Sequence, residues 1–163
     1  MSLRLRPATA DDDAFLRRVY ASTRADELDL LGWSEAEKQA FLAMQFEAQD
    51  RHYRAHFANA RFDVIERDGA PAGRLYVDRA PGEIRIVDIA LLPEHRGAGA
   101  GSALLRELLA EAAAHGQCVT IHVERSNPAR RLYERLGFRV EADDGAVYLF
   151  MAWRPEAQAN TAS

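Results

Sequence analysis

Residues 96–102, Arg-Gly-Ala-Gly-Ala-Gly-Ser, place glycine at every second position just ahead of a leucine-rich run. Removing alternate side chains lets the backbone approach a ligand closely and take φ > 0 where needed. Leu104, Leu105, Leu108 and Leu109 then recur at amphipathic-helix spacing. A glycine loop feeding a helix presents unpaired backbone N–H groups at the positive end of the helix dipole, a place that holds phosphate or another anion. Two familiar phosphate loops do not fit. A dinucleotide fingerprint started at Gly97 or Gly99 would need glycine where Ser102 or Leu104 stands, and a P-loop would need a Gly-Lys step when the only lysine is Lys38. What remains is Arg96-x-x-Gly99-x-Gly101, weak by itself, because a ligand-free glycine turn has the same composition. Just upstream, Asp88 interrupts the apolar run from Glu83 to Leu92. An unpaired buried carboxylate is expensive, so Asp88 must be partnered or functional.

Other candidates have simpler explanations. His52 and His56 are four apart on a predicted helix and could pair on a metal, but no third ligand lies nearby and a polar helix face explains them. Asp11, Asp12 and Asp13 suit the first turn of a helix better than a metal cluster. Cys118 has no basic partner by spacing and reads as a core residue rather than a nucleophile.

The elements that must position these residues alternate along the chain. Leu3 and Leu5 form a short strand ended by Pro7, and Thr9 caps a helix running to about Ser22. After the acidic connection Asp26–Trp33, Ser34 and Glu37 form a capping box for a helix reaching about Phe57. Strands over 62–66 and 73–77 flank Asp68-Gly69, the chemistry of a hairpin turn. Glu83–Leu92 is nearly continuous apolar, the pattern of a strand buried on both faces. The leucine helix closes at Gly116 and a strand follows at 119–123. Asn127-Pro128 opens another helix, which Leu136-Gly137 ends. A last strand covers 147–153, and 155–163 reads as a disordered tail behind a domain spanning 1–154. Strand–helix–strand in the second half implies a parallel crossover, and the hairpins make the sheet mixed.

The strand EIRIVDIALL, then Pro93-x-x-Arg96-Gly97-x-Gly99-x-Gly101, a leucine helix, a strand, and Asn127-Pro128-Ala129-x-x-Leu132-Tyr133-Glu134-x-x-Gly137-Phe138 together resemble the GNAT superfamily of acyl-CoA-dependent N-acyltransferases. The likeness is dense from Glu83 to Phe138 and, by element order, extends over residues 3–153. It implies an α/β (α+β) fold: a single domain whose mixed, mostly antiparallel sheet of about six to seven strands is flanked by about four helices. It also implies that Arg96, Gly97, Ala98, Gly99, Ala100, Gly101 and Ser102 cradle the pyrophosphate of acetyl-CoA. The strand at Ile89, Ala90 and Leu91 would bulge so that its backbone pairs with pantetheine. Asn127 would contact pantetheine as well as cap its helix, with Ala129 and Arg130 near the cofactor.

The implied reaction, direct attack of a primary amine on the thioester, poses two proton problems. An alkylamine of pKa near ~10 must lose a proton, and the departing thiolate gains one. The resemblance gives Tyr133 the acid role; otherwise it is a core aromatic beside Leu132 and Leu136. Glu83, thirteen residues before Arg96, and Asp88 are the candidate bases, each with a structural ion pair as its alternative. Glu83 and Asp88 are five apart and face opposite sides of a regular strand, or the same side across a bulge. An ordered water could serve instead. The acceptor side falls on the first two helices and their connection, where Asp26, Glu27, Asp29 and Trp33 would draw a cationic amine. A catalytically inactive acyl-CoA-binding module is the competing function.

Composition bounds the remainder. The 163 residues suit one domain, 48% apolar and 28% charged, with a net charge of −4. The acidic balance argues against nucleic acid or a membrane surface as partner. Arginines 125, 130, 131, 135 and 139 fit a solvated face with one or two contacts to CoA phosphate. One cysteine, and a start without an apolar leader core, point to a cytoplasmic protein, and with the His52/His56 and Asp11–Asp13 readings above no metal is expected. A small-molecule or peptide amine is the expected partner, and a homodimer is compatible with the sequence.

Overall fold

The computed structural model describes residues 1–145 and 147–155; the expected tail, Pro155 apart, lies outside the described residues. Seven strands hydrogen-bond in the order β1-β2-β3-β4-β5-β7-β6. They are β1 Leu3–Pro7, β2 Arg61–Arg67, β3 Ala70–Ala80, β4 Glu83–Leu91, β5 Cys118–Glu124, β6 Arg139–Ala142 and β7 Tyr148–Trp153. The β4–β5 pair is parallel, whereas β1–β2, β5–β7 and β6–β7 are antiparallel. Four α-helices accompany them among the described residues: α1 Asp13–Asp29, α2 Glu35–His56, α3 Ala100–His115 and α4 Arg130–Arg135. The mixed sheet and the helix number are those expected. Two compact units share the strands: Met1–Tyr76 with Asp88–Ala98, and Val77–Val87 with Gly99 onward.

In the first unit, Leu16 and Tyr20 of α1, Phe46 of α2 and Val64 of β2 form one buried cluster. The α2 capping box is present, with Glu37 N–H donating to Ser34 Oγ at 3.2 Å. Asp68 at φ 51° and Gly69 at φ 84° make the tight β2–β3 turn. The start of α1 differs in detail from expectation. A short 3₁₀ turn, Ala10–Asp12, precedes it, and Asp12 turns back to accept from Thr9 N–H at 2.8 Å and from two Arg6 nitrogens at 2.8 and 2.9 Å.

Arg6 and then the Thr9 N–H hold the Asp12 carboxyl down to about 2, from an ordinary 3.8. A depressed acid contributes stability that is complete above its unfolded pKa and is lost as pH falls through the folded one. The Arg6–Asp12 contribution therefore disappears between about pH 4 and pH 2. Asp12→Asn is expected to cost on the order of 2 kcal/mol at neutral pH and to flatten that part of the stability profile. Urea unfolding midpoints at pH 7, 4 and 3 check it.

The α1 helix continues to Asp29, so Asp26, Glu27 and Asp29 lie on its last turns and not on a connection. Nothing between Ser22 and Asp29 breaks a helix, which the acid-rich composition obscured. In the second unit, Leu104, Leu105, Leu108 and Ala112 of α3, Val119, Ile121 and Val123 of β5, and Leu149 and Met151 of β7 are buried. Gly116 ends α3 in the left-handed conformation, as expected. The β4 strand is not buried on both faces: Ile84 and Ile86 are buried, while Glu83, Arg85 and residues 87–91 are half-buried. Its first half alternates because the opposite face carries a polar chain described below. The sequence reading did not include β6, a four-residue exposed strand with an irregular register between Val140 and Ala142.

Candidate active site

The glycine loop has the backbone that its composition suggested. Gly97 at φ 77° and Gly99 at φ 86° adopt the left-handed conformation, and Gly99 caps α3. The first helical bond runs from Ala103 N–H to the Gly99 carbonyl at 2.9 Å. The N–H groups of Ala100, Gly101 and Ser102 precede it, so the helix itself does not satisfy them. Arg96 does not reach for a ligand with its whole fork: its Nε donates to the Leu91 carbonyl at 2.9 Å and its Nη2 to Ser22 Oγ at 3.4 Å. It ties the loop to the end of β4 and to α1.

Asp88 has a partner. Its Oδ2 accepts from Arg74 Nη2 at 2.6 Å and from the Tyr53 hydroxyl at 3.0 Å, and the same Arg74 nitrogen donates to Gln49 Oε1 at 2.8 Å. Arg74 is only 2% exposed. Burial opposes its charge, but Asp88, Tyr76 and Tyr53 outweigh burial and raise its pKa. Ile89, Ala90 and Leu91 follow as half-buried strand. An alanine Cβ built on Gly73 would meet the Ala90 carbonyl oxygen at 2.1 Å, so β3 needs glycine there for space. Arg74, Tyr53 and Gly73 escaped the sequence analysis, since only the β3–β4 and α2 packing brings them to Asp88.

Of the acids expected at the acceptor side, Glu27 pairs with Arg24 at 3.1 Å and Asp29 with Lys38 at 2.9 Å, while Asp26 is exposed. Trp33 is half-buried, its ring edge-on to Phe41 at 5.3 Å. An open cleft of about 260 Å³ lies between α1 and α2, with Ser22, Leu28, Asp29, Lys38 and Leu42 among its lining residues. The rings of His52 and His56 lie with centroids 4.0 Å apart and planes tilted by 34°, and His56 Nδ1 lies 3.1 Å from the His52 carbonyl. Among the described residues no group of three His, Cys, Asp or Glu side chains is arranged to hold a metal.

In the second unit, Glu83 heads a polar chain across β4 and β5. Thr120 Oγ1 donates to Glu83 Oε2 at 2.6 Å, Arg85 Nε donates to Thr120 Oγ1 at 2.7 Å, and Arg85 Nη1 lies 3.1 Å from His122 Nδ1. Because an arginine only donates, His122 accepts at Nδ1. Burial, and then the Arg85 charge, push its pKa below the usual imidazole value. The sequence signal for this chain was there, in the i, i+2 pairs Glu83/Arg85 and Thr120/His122, but their cross-strand alignment was not.

Asn127 Oδ1 accepts from Ala129 N–H at 2.9 Å, a cap in which Pro128 stands first, although regular α-helix begins only at Arg130. Arg130 pairs with Glu134 at 2.9 Å. Tyr133 is buried at 4% exposure, its ring edge-on to Phe138 at 5.7 Å. Cys118 is half-buried and its Sγ donates to the Gly82 carbonyl at 3.5 Å. No helix among the described residues is long and apolar enough to cross a membrane.

A mixed sheet whose fourth strand runs into a left-handed glycine loop capping a leucine helix, followed by a parallel strand and an Asn-Pro capped helix, is the architecture of an acetyltransferase. Residues 17–138 match the acetyltransferase (GNAT) family, and the chain belongs to it. A 57-residue segment is 40% identical to the [ribosomal protein bS18]-alanine N-acetyltransferase of Haemophilus influenzae, 34% of this chain and 39% of that protein. The match thus spans about two fifths of the length of that curated relative. Among solved structures, the PaiA N-acetyltransferase of Thermoplasma acidophilum in complex with coenzyme A has a TM-score of 0.69 at 19% identity, covering 94% of this chain and 99% of that one. An acetyltransferase of Thermus thermophilus gives 0.67 at 20% identity, covering 94% and 97%. Histone acetyltransferase HPA2 and related acetyltransferase of Corynebacterium glutamicum gives 0.65 at 25% identity, covering 95% and 97%. At these identities the first two likenesses speak of the fold.

Proposed function

We propose that this protein transfers the acetyl group of acetyl-CoA to a primary amine. The observation that carries the donor is the loop itself: two left-handed glycines present the first N–H groups of a sixteen-residue helix, a fit for pyrophosphate. Coenzyme A bound to the T. acidophilum protein of similar fold supports the same donor. Ala98–Ser102 would hold the pyrophosphate, with Arg96 fixing the loop, and Ile89–Leu91 and Asn127 would contact pantetheine.

In the reaction the amine nitrogen forms a bond to the thioester carbon and the carbon–sulfur bond breaks. Tyr133 gives its hydroxyl proton to the departing sulfur. Glu83 takes the proton that the ammonium must lose before attack, and the second proton that the nitrogen sheds as the intermediate collapses replaces the one Tyr133 gave up. Glu83 Oε2 also accepts from Thr120 and lies 3.6 Å from Arg85. Its side chain is nonetheless 37% exposed against 15% for Asp88, whose Oδ2 carries both Arg74 and Tyr53, and this greater access favours Glu83. The cationic-acceptor idea now leans on Asp26, since Glu27 and Asp29 already have cationic partners. A peptide α-amine, suggested by the H. influenzae relative's name, has a pKa near ~8 and asks less of a base than an alkylamine near ~10.

Burial of Tyr133 favours a second reading, a module that binds acyl-CoA without turnover. A thiol-release assay with acetyl-CoA against a panel of peptide α-amines, polyamines and amino sugars separates the two. Release with at least one amine, and a large fall in kcat with CoA affinity unchanged in Glu83→Gln, is the expected result. Tight CoA binding with no release across the panel would establish the binding module.

A further inference from the structure

Two features of the first unit fall at the same step of neighbouring strands. In a pleated strand the Cβ points out of the sheet, well clear of the partner's carbonyls. At Gly73 it would instead lie 2.1 Å from the Ala90 carbonyl oxygen and 2.9 Å from Leu91 Cα. The β3 and β4 backbones therefore approach at this step more closely than any side chain on residue 73 would allow. The close approach is bracketed. On one side, Leu92 N–H donates to the Ala72 carbonyl at 2.8 Å. On the other, Arg74 holds Asp88, two residues before Ala90, at 2.6 Å.

That ion pair is an expensive way to join two strands. The Arg74 side chain is 3% exposed and that of Asp88 15%, and the Arg74 Nε has no hydrogen-bond partner. Replacing a buried pair of this kind by well-packed apolar residues of similar volume is often neutral or stabilising, so the pair is weak evidence for stability and its consequence lies in geometry. Geometry is what it controls. Tyr53 of α2 and Gln49 fix the remaining freedom of the pair, and Tyr76 lies beneath the guanidinium, its ring centre 5.1 Å away.

We infer that Arg74 and Asp88, steadied by Tyr53, are positioning residues that hold the backbone of Ile89–Leu91, close against Gly73, in the form that pairs with pantetheine, and that Asp88 is not the proton acceptor. The inference rests on the acyl-CoA reading above and deepens it.

The test compares two ligands by calorimetry: coenzyme A, and adenosine 3′,5′-bisphosphate extended by the 5′ β-phosphate, which keeps the pyrophosphate and lacks pantetheine. Asp88→Asn and Gly73→Ala should each weaken CoA about tenfold or more while leaving the truncated nucleotide unchanged. In Asp88→Asn the loss should fall on KM for acetyl-CoA rather than on kcat. Equal weakening of both ligands, or a loss confined to kcat with normal CoA affinity, would overturn the inference. Where Asp88→Asn leaves Arg74 uncompensated and the protein does not fold, the double variant Arg74→Met/Asp88→Leu restores an apolar contact. It should fold and still bind CoA weakly; wild-type CoA affinity in that variant refutes the proposal. A parent protein that binds neither ligand refutes the acyl-CoA reading instead.

Discussion

Gly101→Asp is expected to abolish coenzyme A binding while leaving the fold intact. Position 101 is the second residue of α3, half-buried and ahead of the first helical hydrogen bond. Glycine costs a helix roughly 0.5–1 kcal/mol relative to alanine, and an acidic side chain in the first turn gains about 0.3–1 kcal/mol from the dipole. The thermal midpoint should therefore hold or rise. The same carboxylate would stand where the pyrophosphate must sit. Two like charges about 4 Å apart repel by about 4 kcal/mol at the effective dielectric of a protein surface, roughly a thousandfold in affinity. Gly99→Glu should be as severe for binding but less clean, because φ 86° strains any side chain placed there. Arg96→Ala should do less, since its guanidinium spends itself on Leu91 and Ser22. Calorimetric titration with CoA beside a thermal melt reads both quantities. Unchanged affinity in Gly101→Asp would move the pyrophosphate away from this helix.

Such a separation of fold from function is possible because the loop was written in local signals, and local signals are what a sequence displays. Ser34 with Glu37, Asp68-Gly69, Gly116 and Asn127-Pro128 each act within a few residues, and each stands where its chemistry placed it. Asp88 was legible only halfway. Its cost in an apolar run announced a partner, but the partner, Arg74, comes from the neighbouring strand, and Tyr53 from a helix 35 residues away in sequence. No periodicity carries that information. The Asp26–Asp29 stretch failed for the opposite reason: acids crowd a helix end where the dipole disfavours them, so it looked like a connection. Pairs with Arg24 and Lys38 compensate, and the second needs the next helix to exist first. The chain Glu83–Thr120–Arg85–His122 likewise depends on the parallel register Glu83↔Cys118 and Arg85↔Thr120, which no single strand encodes.

Tyr133→Phe should lower turnover by about 10²–10⁴ while preserving acetyl-CoA affinity, the range of a positioned proton donor. The substitution removes one oxygen and keeps the ring in its edge-on contact with Phe138. As a buried hydroxyl, it can cost the fold about 0.5–1.5 kcal/mol on removal, which a melt will register without unfolding the protein. The decisive comparison uses donors of different leaving-group basicity. If the phenol protonates the departing sulfur, the penalty should shrink for an acetyl thioester whose thiol is more acidic, because that thiolate leaves without help. If Tyr133 serves only the core, beside Phe138 and at 4% exposure, the phenylalanine variant should lose stability, keep its rate, and respond to every donor as the parent does. Single-turnover measurement of acetyl transfer with two thioesters of differing thiol pKa distinguishes the two. A normal rate with both would return Tyr133 to packing and leave solvent to protonate the sulfur.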